Sequence, residues 1–241
     1  MIETNLFKRR LTKEKVLLKE MLEGLDSLDT MKLRTNFLSN NSKTDWSLNF
    51  PIHNCYPTPL CSGNCYACSG PITFKNSIKK SLKLEHTIEN HQEYALLKLV
   101  DEITRHKLTN LRYSGGGDLS ENSASFILAV AARLPNVIFW GFTRKISIAK
   151  LLHNSLPNIK AIFSIDSSTT EKTLNEIYAN NWKTAWLYTS QDDEIPDDIY
   201  ITFANHKNGR LDNTLPTLTS ECPAIRNHDV KCDSCRHCFN F

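Results

Sequence analysis

Short runs of β-branched and aromatic residues alternate with longer amphipathic segments through the middle of the chain. These runs predict six strands, at residues 46–52, 108–113, 136–143, 159–165, 183–188 and 199–203. Apolar residues at helical spacing predict four helices between them, at residues 84–106, 121–134, 146–155 and 170–179. Strands that alternate with helices favour a parallel sheet with right-handed crossovers. Because six strands are too few to close an eight-stranded barrel, the pattern predicts an α/β fold built as an open, partial (β/α)6 barrel.

The two ends of the chain depart from this alternation. Apolar residues recur every three or four positions between Phe7 and Phe37, which predicts an amphipathic helical preface with a break near Gly24. After Phe203 the alternation stops. The remaining residues contain too few apolar side chains for a hydrophobic core alone to stabilise them. We therefore expect an N-terminal helical segment (residues 1–44), a (β/α)6 core (residues 45–205) and a Cys-rich C-terminal tail (residues 206–241).

Charge and hydropathy exclude some classes of protein. The 241 residues include 29 Lys and Arg against 26 acids, a net charge of +3, which argues against a protein that coats a polyanion. No apolar stretch reaches the ~18 residues of a spanning helix, so we expect a cytoplasmic protein with no membrane partner. The preface also carries six basic residues that leave nucleic-acid contact open, although a solvated helix face is the simpler interpretation: Lys8, Arg9, Arg10, Lys13, Lys15 and Lys19.

The cysteines are the strongest chemical signal. All eight lie in two short stretches, and in a cytosolic chain such clusters indicate metal ligands more than disulfides. In the first stretch, Cys61, Cys65 and Cys68 have the spacing C-x3-C-x2-C, which lets one loop bind three irons of a cubane and leave the fourth iron open. Cys55 precedes them, so the working triad is alternatively Cys55, Cys61 and Cys65. If all four bind, no iron stays open.

The second stretch has the spacing of a closed site. Cys232, Cys235 and Cys238 form C-x2-C-x2-C, and Cys222 upstream supplies a fourth thiolate. A four-iron cluster there would relay electrons or staple the tail. Zinc bound by the same four thiolates is the alternative, since such a site also contributes folding energy.

Glycine and polar residues mark the ends of predicted strands. Five of the eight glycines lie in two loops, at Gly63, Gly70, Gly115, Gly116 and Gly117. Glycine at a strand end permits close approach of the backbone to a ligand, and the lesser alternative for the second group is a tight turn in which Asp118 or Ser120 caps the next helix. Ser164 and Asp166 end the fourth predicted strand, where side chains point towards a site or cap a helix. Arg144 is a candidate to hold a carboxylate or phosphate, or an ordinary surface cation.

The cysteine loop after the first strand, together with Gly115 to Asp118, resembles the radical S-adenosylmethionine superfamily. The resemblance implies a catalytic [4Fe-4S] cluster whose open iron binds S-adenosylmethionine and cleaves it reductively to a 5′-deoxyadenosyl radical. It also implies an electron donor such as flavodoxin or ferredoxin. Gly115, Gly116, Gly117 and Asp118, with Asp in place of the family's Glu, would hold the methionyl group, and Ser164 and Asp166 the ribose. It names no substrate and no further catalytic residue.

The layout of residues 45–241 also resembles an uncharacterised phage- and plasmid-encoded family known as gene product eighty-eight. The likeness runs through Cys-Tyr-Ala, Ser-Gly-Gly-Gly-Asp, Phe-Thr-Arg, Ser-Ile-Asp and Cys-Pro-Ala followed by the second cysteine run. It implies a mobile-element origin but no activity, and it favours the Cys55 triad, because the Cys68 position is not dependably cysteine in that family. The sequence thus predicts a radical S-adenosylmethionine enzyme. The alternative is a non-enzymatic protein, stapled by zinc or a closed cluster, that binds nucleic acid or a host protein.

Overall fold

One seven-stranded sheet organises the computed structural model, which describes residues 4–23, 36–41, 44–207, 210–211, 214–227 and 229–241. Its strands, in spatial and chain order, are β1 (Ser39–Asn41), β2 (Asp45–Asn49), β3 (Asn110–Gly116), β4 (Ile138–Thr143), β5 (Ile159–Ile165), β6 (Thr184–Tyr188) and β7 (Ile201–Ala204). Strands β2 to β7 are all parallel, and β1 pairs antiparallel with β2. The predicted α/β fold with a mostly parallel sheet is confirmed. Within the described residues the edge strands do not pair with each other, so the sheet is not closed.

The helices connect these strands. They are α1 (Thr4–Glu23), α2 (Pro59–Gly63), α3 (Lys75–Asn90), α4 (Gln92–Arg105), α5 (Glu121–Arg133), α6 (Ile146–Leu152), α7 (Glu171–Ala179), α8 (Pro223–Arg226) and α9 (Cys232–Cys235). A short antiparallel pair, β8 (His206–Lys207) and β9 (Arg210–Leu211), follows the sheet. The single helix expected at residues 84–106 is wrong, because His91, with φ −143° and ψ 49°, separates α3 from α4. The break expected near Gly24 lies outside the described residues.

Alternate residues of the strands face opposite layers. Leu111, Tyr113 and Phe139 belong to the main apolar core, which includes Phe126 and Ile127 of α5. Their neighbours along the same strands point to the other face and line a cavity instead, among them Arg112, Ser114, Trp140 and Phe142. Helices α3 to α7 thus cover one face of the sheet, and the cavity lies on the other face.

The N-terminal helix and the C-terminal tail both pack on this framework. Leu17 and Met21 of α1 form a cluster with Ile78 and Leu82 of α3. In the tail, the Phe239 ring lies 5.2 Å from the Trp140 ring. The described helices include none that is long and apolar enough to cross a membrane.

Candidate metal and ligand site

The first cysteine stretch follows β2 at the carboxyl ends of the parallel strands. Thr58 caps α2 by accepting a hydrogen bond from Cys61 N at 3.1 Å, and a single 3-10 turn spans Tyr66–Cys68. These turns bring four thiols together. The Cys65 and Cys68 thiols are hydrogen-bonded to each other, and the Cys55 thiol is within electrostatic reach of Cys61 and Cys65. All four predicted ligands therefore share one region, and Cys55 is not set apart from the C-x3-C-x2-C run.

Three of these four thiols, those of Cys55, Cys61 and Cys65, have a pKa above the ordinary value of a cysteine. Burial raises the pKa of Cys55 well above its ordinary value, and burial raises the pKa of Cys61 to about 11 although the Arg144 charge opposes it. The hydrogen bond between the two thiols raises the pKa of Cys65 and lowers the pKa of Cys68. Four buried thiolates would repel one another, so a bound cation has to displace these protons.

The donor set, four cysteine thiols, is one that binds either an iron–sulfur cluster or zinc. In the part of the chain that is described, no three His, Cys, Asp or Glu side chains converge closely enough to hold a single metal ion. Zinc requires such convergence, since its sulfur ligands lie at ~2.3 Å from one centre. A four-iron cluster takes each thiolate on a different iron and so accepts more widely spaced ligands. In number and chemistry, the first four cysteines fit such a cluster.

Two polar residues of the loop that follows β5 anchor the start of α2. The Asp166 carboxylate is buried, accepts a hydrogen bond from Thr58 Oγ1 at 2.6 Å, and lies 2.8 Å from the Arg144 guanidinium. Ser168 Oγ donates to Asp166 at 2.7 Å and accepts from Leu60 N at 3.3 Å. Both carboxylate oxygens of Asp166, predicted as a ribose ligand, are thus used within the protein: Oδ2 contacts Thr58 and Arg144, and Oδ1 accepts from Ser168. Arg144 also hydrogen-bonds to Cys61, so it is not an ordinary surface cation.

A buried carboxylate on α1 anchors the other end of the loop. Glu14 is fully buried and accepts hydrogen bonds from Ile52 N at 3.2 Å and His53 N at 3.0 Å. Its oxygens also lie 2.7 Å from His53 Nδ1 and 2.9 Å from Arg10 Nη1. Burial alone would raise the pKa of Glu14, but the bonds from His53 and Ile52 and the Arg10 charge together lower it.

Sequence reasoning missed this anchor. The signal was Arg10 and Glu14 four residues apart in the preface, a spacing that also suits an ordinary exposed pair. Of the basic residues considered for nucleic acid, Arg10 is buried, and Lys13 donates to the Thr73 carbonyl at 2.8 Å. Lys8, Arg9, Lys15 and Lys19 are exposed.

Packing accounts for the glycines at the end of β3. A Cβ on Gly115 would lie 2.6 Å from Ser47 Oγ, and one on Gly116 would lie 2.2 Å from Ile72 Cδ1. Gly117 has φ +72°, and a Cβ there would lie 2.0 Å from the Phe50 carbonyl oxygen. Gly117 also lines the cavity, as does Asp118. Close contact with residues 47–51 is therefore sufficient reason for Gly115 and Gly117, whereas Gly116 meets only the flexible end of a side chain, and the cofactor role of all three stays a prediction.

Asp118 is buried beside the cavity with most of its acceptor capacity used. Its carboxylate accepts hydrogen bonds from Leu119 N at 2.8 Å, Thr143 Oγ1 at 3.1 Å and Arg144 N at 3.2 Å. Burial raises the pKa of Asp118 to about 6, against the lowering effect of these bonds. By contrast, the Ser164 hydroxyl lines the cavity and makes no hydrogen bond to the described residues. Of the predicted cofactor side chains, Ser164 keeps the most capacity for a ligand.

The second cysteine stretch lies against the same face of the sheet. Burial raises the pKa of Cys238 to about 12, and the charges of Cys222, Cys232 and Cys235 add to the shift, so these four thiols also lie near one another. Asn110 Nδ2 donates to Asp233 at 2.6 Å, and Tyr200 donates its hydroxyl proton to the His237 carbonyl. These contacts attach the tail to β3 and to the residues before β7.

One cavity of about 400 Å³ joins the two cysteine sets. Its lining includes six thiol-bearing residues, three from each set: Cys55, Cys61, Cys65, Cys222, Cys232 and Cys238. Much of the remaining lining is aromatic or aliphatic, such as Trp140, Phe142, Leu187 and Phe203. The volume is within the range of sites for small molecules. The arrangement can therefore hold a small ligand between the two cysteine sets.

Comparison with known protein families gives a match over most of the chain. A family model described as gene product 88 matches residues 8–240, from α1 to the end of the tail. No curated protein and no solved structure matches the chain.

Proposed function

The chain belongs to the gene product 88 family, and we propose that it is a radical S-adenosylmethionine enzyme with a partial (β/α)6 barrel and two iron–sulfur sites. One observation carries the proposal: a four-cysteine loop directly follows the first parallel strand and faces, across one cavity, a second four-cysteine set. Family membership fits a phage or plasmid origin and a cytoplasmic location in the bacterial host, and it assigns no chemistry.

The order of the strands supports this proposal. Six parallel strands lie side by side in chain order, so all of their carboxyl ends meet at one edge, where the first cysteine loop lies. The end of the second parallel strand, at Gly117 and Asp118, lines the cavity next to that loop. This juxtaposition is what a cofactor bound between cluster and strand ends requires.

Residues of the chain would bind and orient the bound groups. Cys61, Cys65 and Cys68 would hold a [4Fe-4S] cluster, with Arg144 fixing the Cys61 thiol. When bound, that cluster supplies one electron, received from a flavodoxin or ferredoxin, to the sulfonium of S-adenosylmethionine. The Ser164 hydroxyl is free to bind the ribose, and the backbone at Gly117 permits close approach. The tail cysteines would hold an auxiliary cluster, with zinc as the alternative metal.

Reductive cleavage of the cofactor tests the function. We expect the anaerobically reconstituted full chain to form 5′-deoxyadenosine from S-adenosylmethionine and dithionite, and Cys65→Ser to abolish it, since Cys65 belongs to either possible triad. A protein that binds its full complement of iron and forms no 5′-deoxyadenosine would contradict the proposal.

Single substitutions identify the triad. With Cys61, Cys65 and Cys68 as ligands, Cys68→Ala loses iron from the first site and Cys55→Ala keeps it. The opposite result, loss from Cys55→Ala alone, would assign the cluster to Cys55, Cys61 and Cys65. Loss from both would mean a closed four-thiolate cluster and no open iron for S-adenosylmethionine.

A second candidate function is a metal-stapled binding protein without catalysis. The observation that favours it is that Asp118 and Asp166 use their carboxylates within the protein. The exposed Lys8, Arg9 and Arg236 would then contact nucleic acid or a host protein. Zinc in both sites with no cofactor cleavage would support this alternative.

A further inference from the structure

Two arginines line the cavity in the described part of the chain, and they differ in their partners. The Arg144 guanidinium lies 2.8 Å from Asp166. Arg112, on β3, pairs with no carboxylate of the described residues. Burial raises the pKa of Tyr66 and of Cys238, and the Arg112 charge partly offsets both shifts. Arg112 therefore lies within electrostatic reach of Tyr66 in the first cysteine stretch and of Cys238 in the second.

Aromatic rings hold the Arg112 side chain in place. Its guanidinium carbon lies 5.5 Å from the centre of the Trp140 ring and 5.3 Å from that of Phe142. Its Nε donates to the Ser114 carbonyl at 3.2 Å. The two terminal nitrogens make no hydrogen bond to the described residues. These contacts thus fix the direction of the Arg112 guanidinium and leave its two terminal nitrogens to donate hydrogen bonds to a ligand.

Other buried or half-buried arginines do not share this feature. Arg10 pairs with Glu14, Arg144 with Asp166 and Arg226 with Glu221, at distances of 2.6 to 2.9 Å. A charge removed from water without a partner raises the free energy of the fold, so an unpaired guanidinium inside a cavity indicates a missing anion. The planar fork of arginine suits the two oxygens of a carboxylate or phosphate.

We propose that Arg112 binds the oxyanion of a small substrate, a carboxylate or phosphate whose apolar part lies against Trp140, Phe142 and Phe203. The Phe142 and Phe203 rings meet edge to face, with their centres 5.5 Å apart. The aromatic surface beside Arg112 therefore includes Phe203, which also lines the cavity. The cavity volume of about 400 Å³ is within the range of sites for small molecules. This inference rests on the proposed function, because it assigns the space between the two cysteine sets to the substrate.

Binding of three matched probes to the metal-loaded full chain tests the proposal. Phenylacetate and phenyl phosphate carry the two oxyanions, and phenylacetamide is their neutral counterpart. By calorimetry without S-adenosylmethionine, we expect at least one of the acids to bind about tenfold or more tightly than the amide. The acid that binds more tightly identifies the oxyanion as carboxylate or phosphate.

Variants separate Arg112 from other causes of anion binding. Arg112→Gln should abolish the preference for the acid, and Arg112→Lys should keep part of it, because lysine retains the charge and loses the fork. Arg133→Gln, a change of an exposed arginine on α5, should leave the preference unchanged. Circular dichroism and iron content show whether each variant keeps its fold and metal.

Three results would overturn the proposal. They are equal affinity for acid and amide, no binding of either acid, and a folded Arg112→Gln variant that still prefers the acid. If that variant keeps the preference but loses iron, Arg112 serves the cysteine sites instead. Because the assay contains no S-adenosylmethionine, failure to form 5′-deoxyadenosine would refute the proposed function without changing this result.

Discussion

The three glycines at the end of β3 show what a single residue contributes here. The sequence indicates that Gly115, Gly116 and Gly117 permit close approach, and the structure shows close approach of protein atoms to all three. The sequence does not show whether a ligand or the protein itself approaches these glycines. The atoms in contact belong to Ile72 and Phe50, which lie far from β3 in the chain. The sequence therefore predicts that these positions need glycine, but not which group the glycines make room for.

Alanine at Gly117 tests this packing. Gly117→Ala should lower the free energy of unfolding by about 2 kcal/mol or more, since it adds a backbone clash to the strain of a positive φ. Gly70→Ala is the matched control, because Gly70 has φ +64° and nothing within 4 Å of its Cβ position. The control should lose only about 1 kcal/mol in urea unfolding. Equal losses would contradict the packing explanation.

The buried carboxyl of Asp118 predicts a pH effect on stability. An aspartate titrates near pH 4 in an unfolded chain, and burial raises the pKa of Asp118 to about 6 in the fold. The folded state therefore binds this proton more tightly. The contribution of Asp118 to stability is greatest below about pH 4, falls as the pH rises to about 6 and stays low above it.

Comparison with Asp118→Asn isolates that contribution. Between pH 4 and 7, the unfolding free energy of the natural chain relative to the variant should fall by up to about 3 kcal/mol, measured in urea with reductant and no added metal. Asp101→Asn, which changes an exposed aspartate on α4, is the control and should show no such trend. Parallel pH profiles for the natural chain and Asp118→Asn would contradict the raised pKa.

Among the elements, α1 has the role that the sequence predicted least well. The periodicity of apolar residues correctly indicated a helix packed against the body of the protein, as Leu17 and Met21 show. It gave no sign that Glu14 binds the backbone of Ile52 and His53. Periodicity reports which face of a helix is buried, whereas a polar anchor depends on contacts with a distant loop. The split between α3 and α4 escaped prediction because no Gly or Pro marks His91.

Substitution of Glu14 tests the anchor. Glu14→Ala should destabilise the fold by about 3 kcal/mol, since it leaves Arg10 buried without its partner, and should lower the iron content of the first cysteine set. Glu20→Ala, on the same helix, removes an exposed carboxylate that pairs with Lys75 and Lys79, and it should change stability and iron content little. Unfolding and metal analysis measure both effects. Equal behaviour of the two variants would show that α1 does not hold the loop.

At the scale of the whole molecule, the main result is that both cysteine sets face one cavity. The spacing of the cysteines predicted two separate groups of four, and the order of strands predicted where the first would lie. That the tail returns to the same face of the sheet could not be predicted, because Trp140 and Phe239 lie almost a hundred residues apart. Arg112 was missed for the same reason. The role proposed for Arg112 depends on the absence of a carboxylate beside its guanidinium among the described residues, and the sequence does not show which side chains are neighbours in the fold.

The metal and sulfide content of the anaerobically purified full chain tests the central claim most directly. If both cysteine sets hold four-iron clusters, analysis should find about eight irons and eight acid-labile sulfides per chain. Replacing Cys235 with Ala should halve both, because it removes a ligand of the tail site only. One or two zinc ions per chain without labile sulfide would contradict the account.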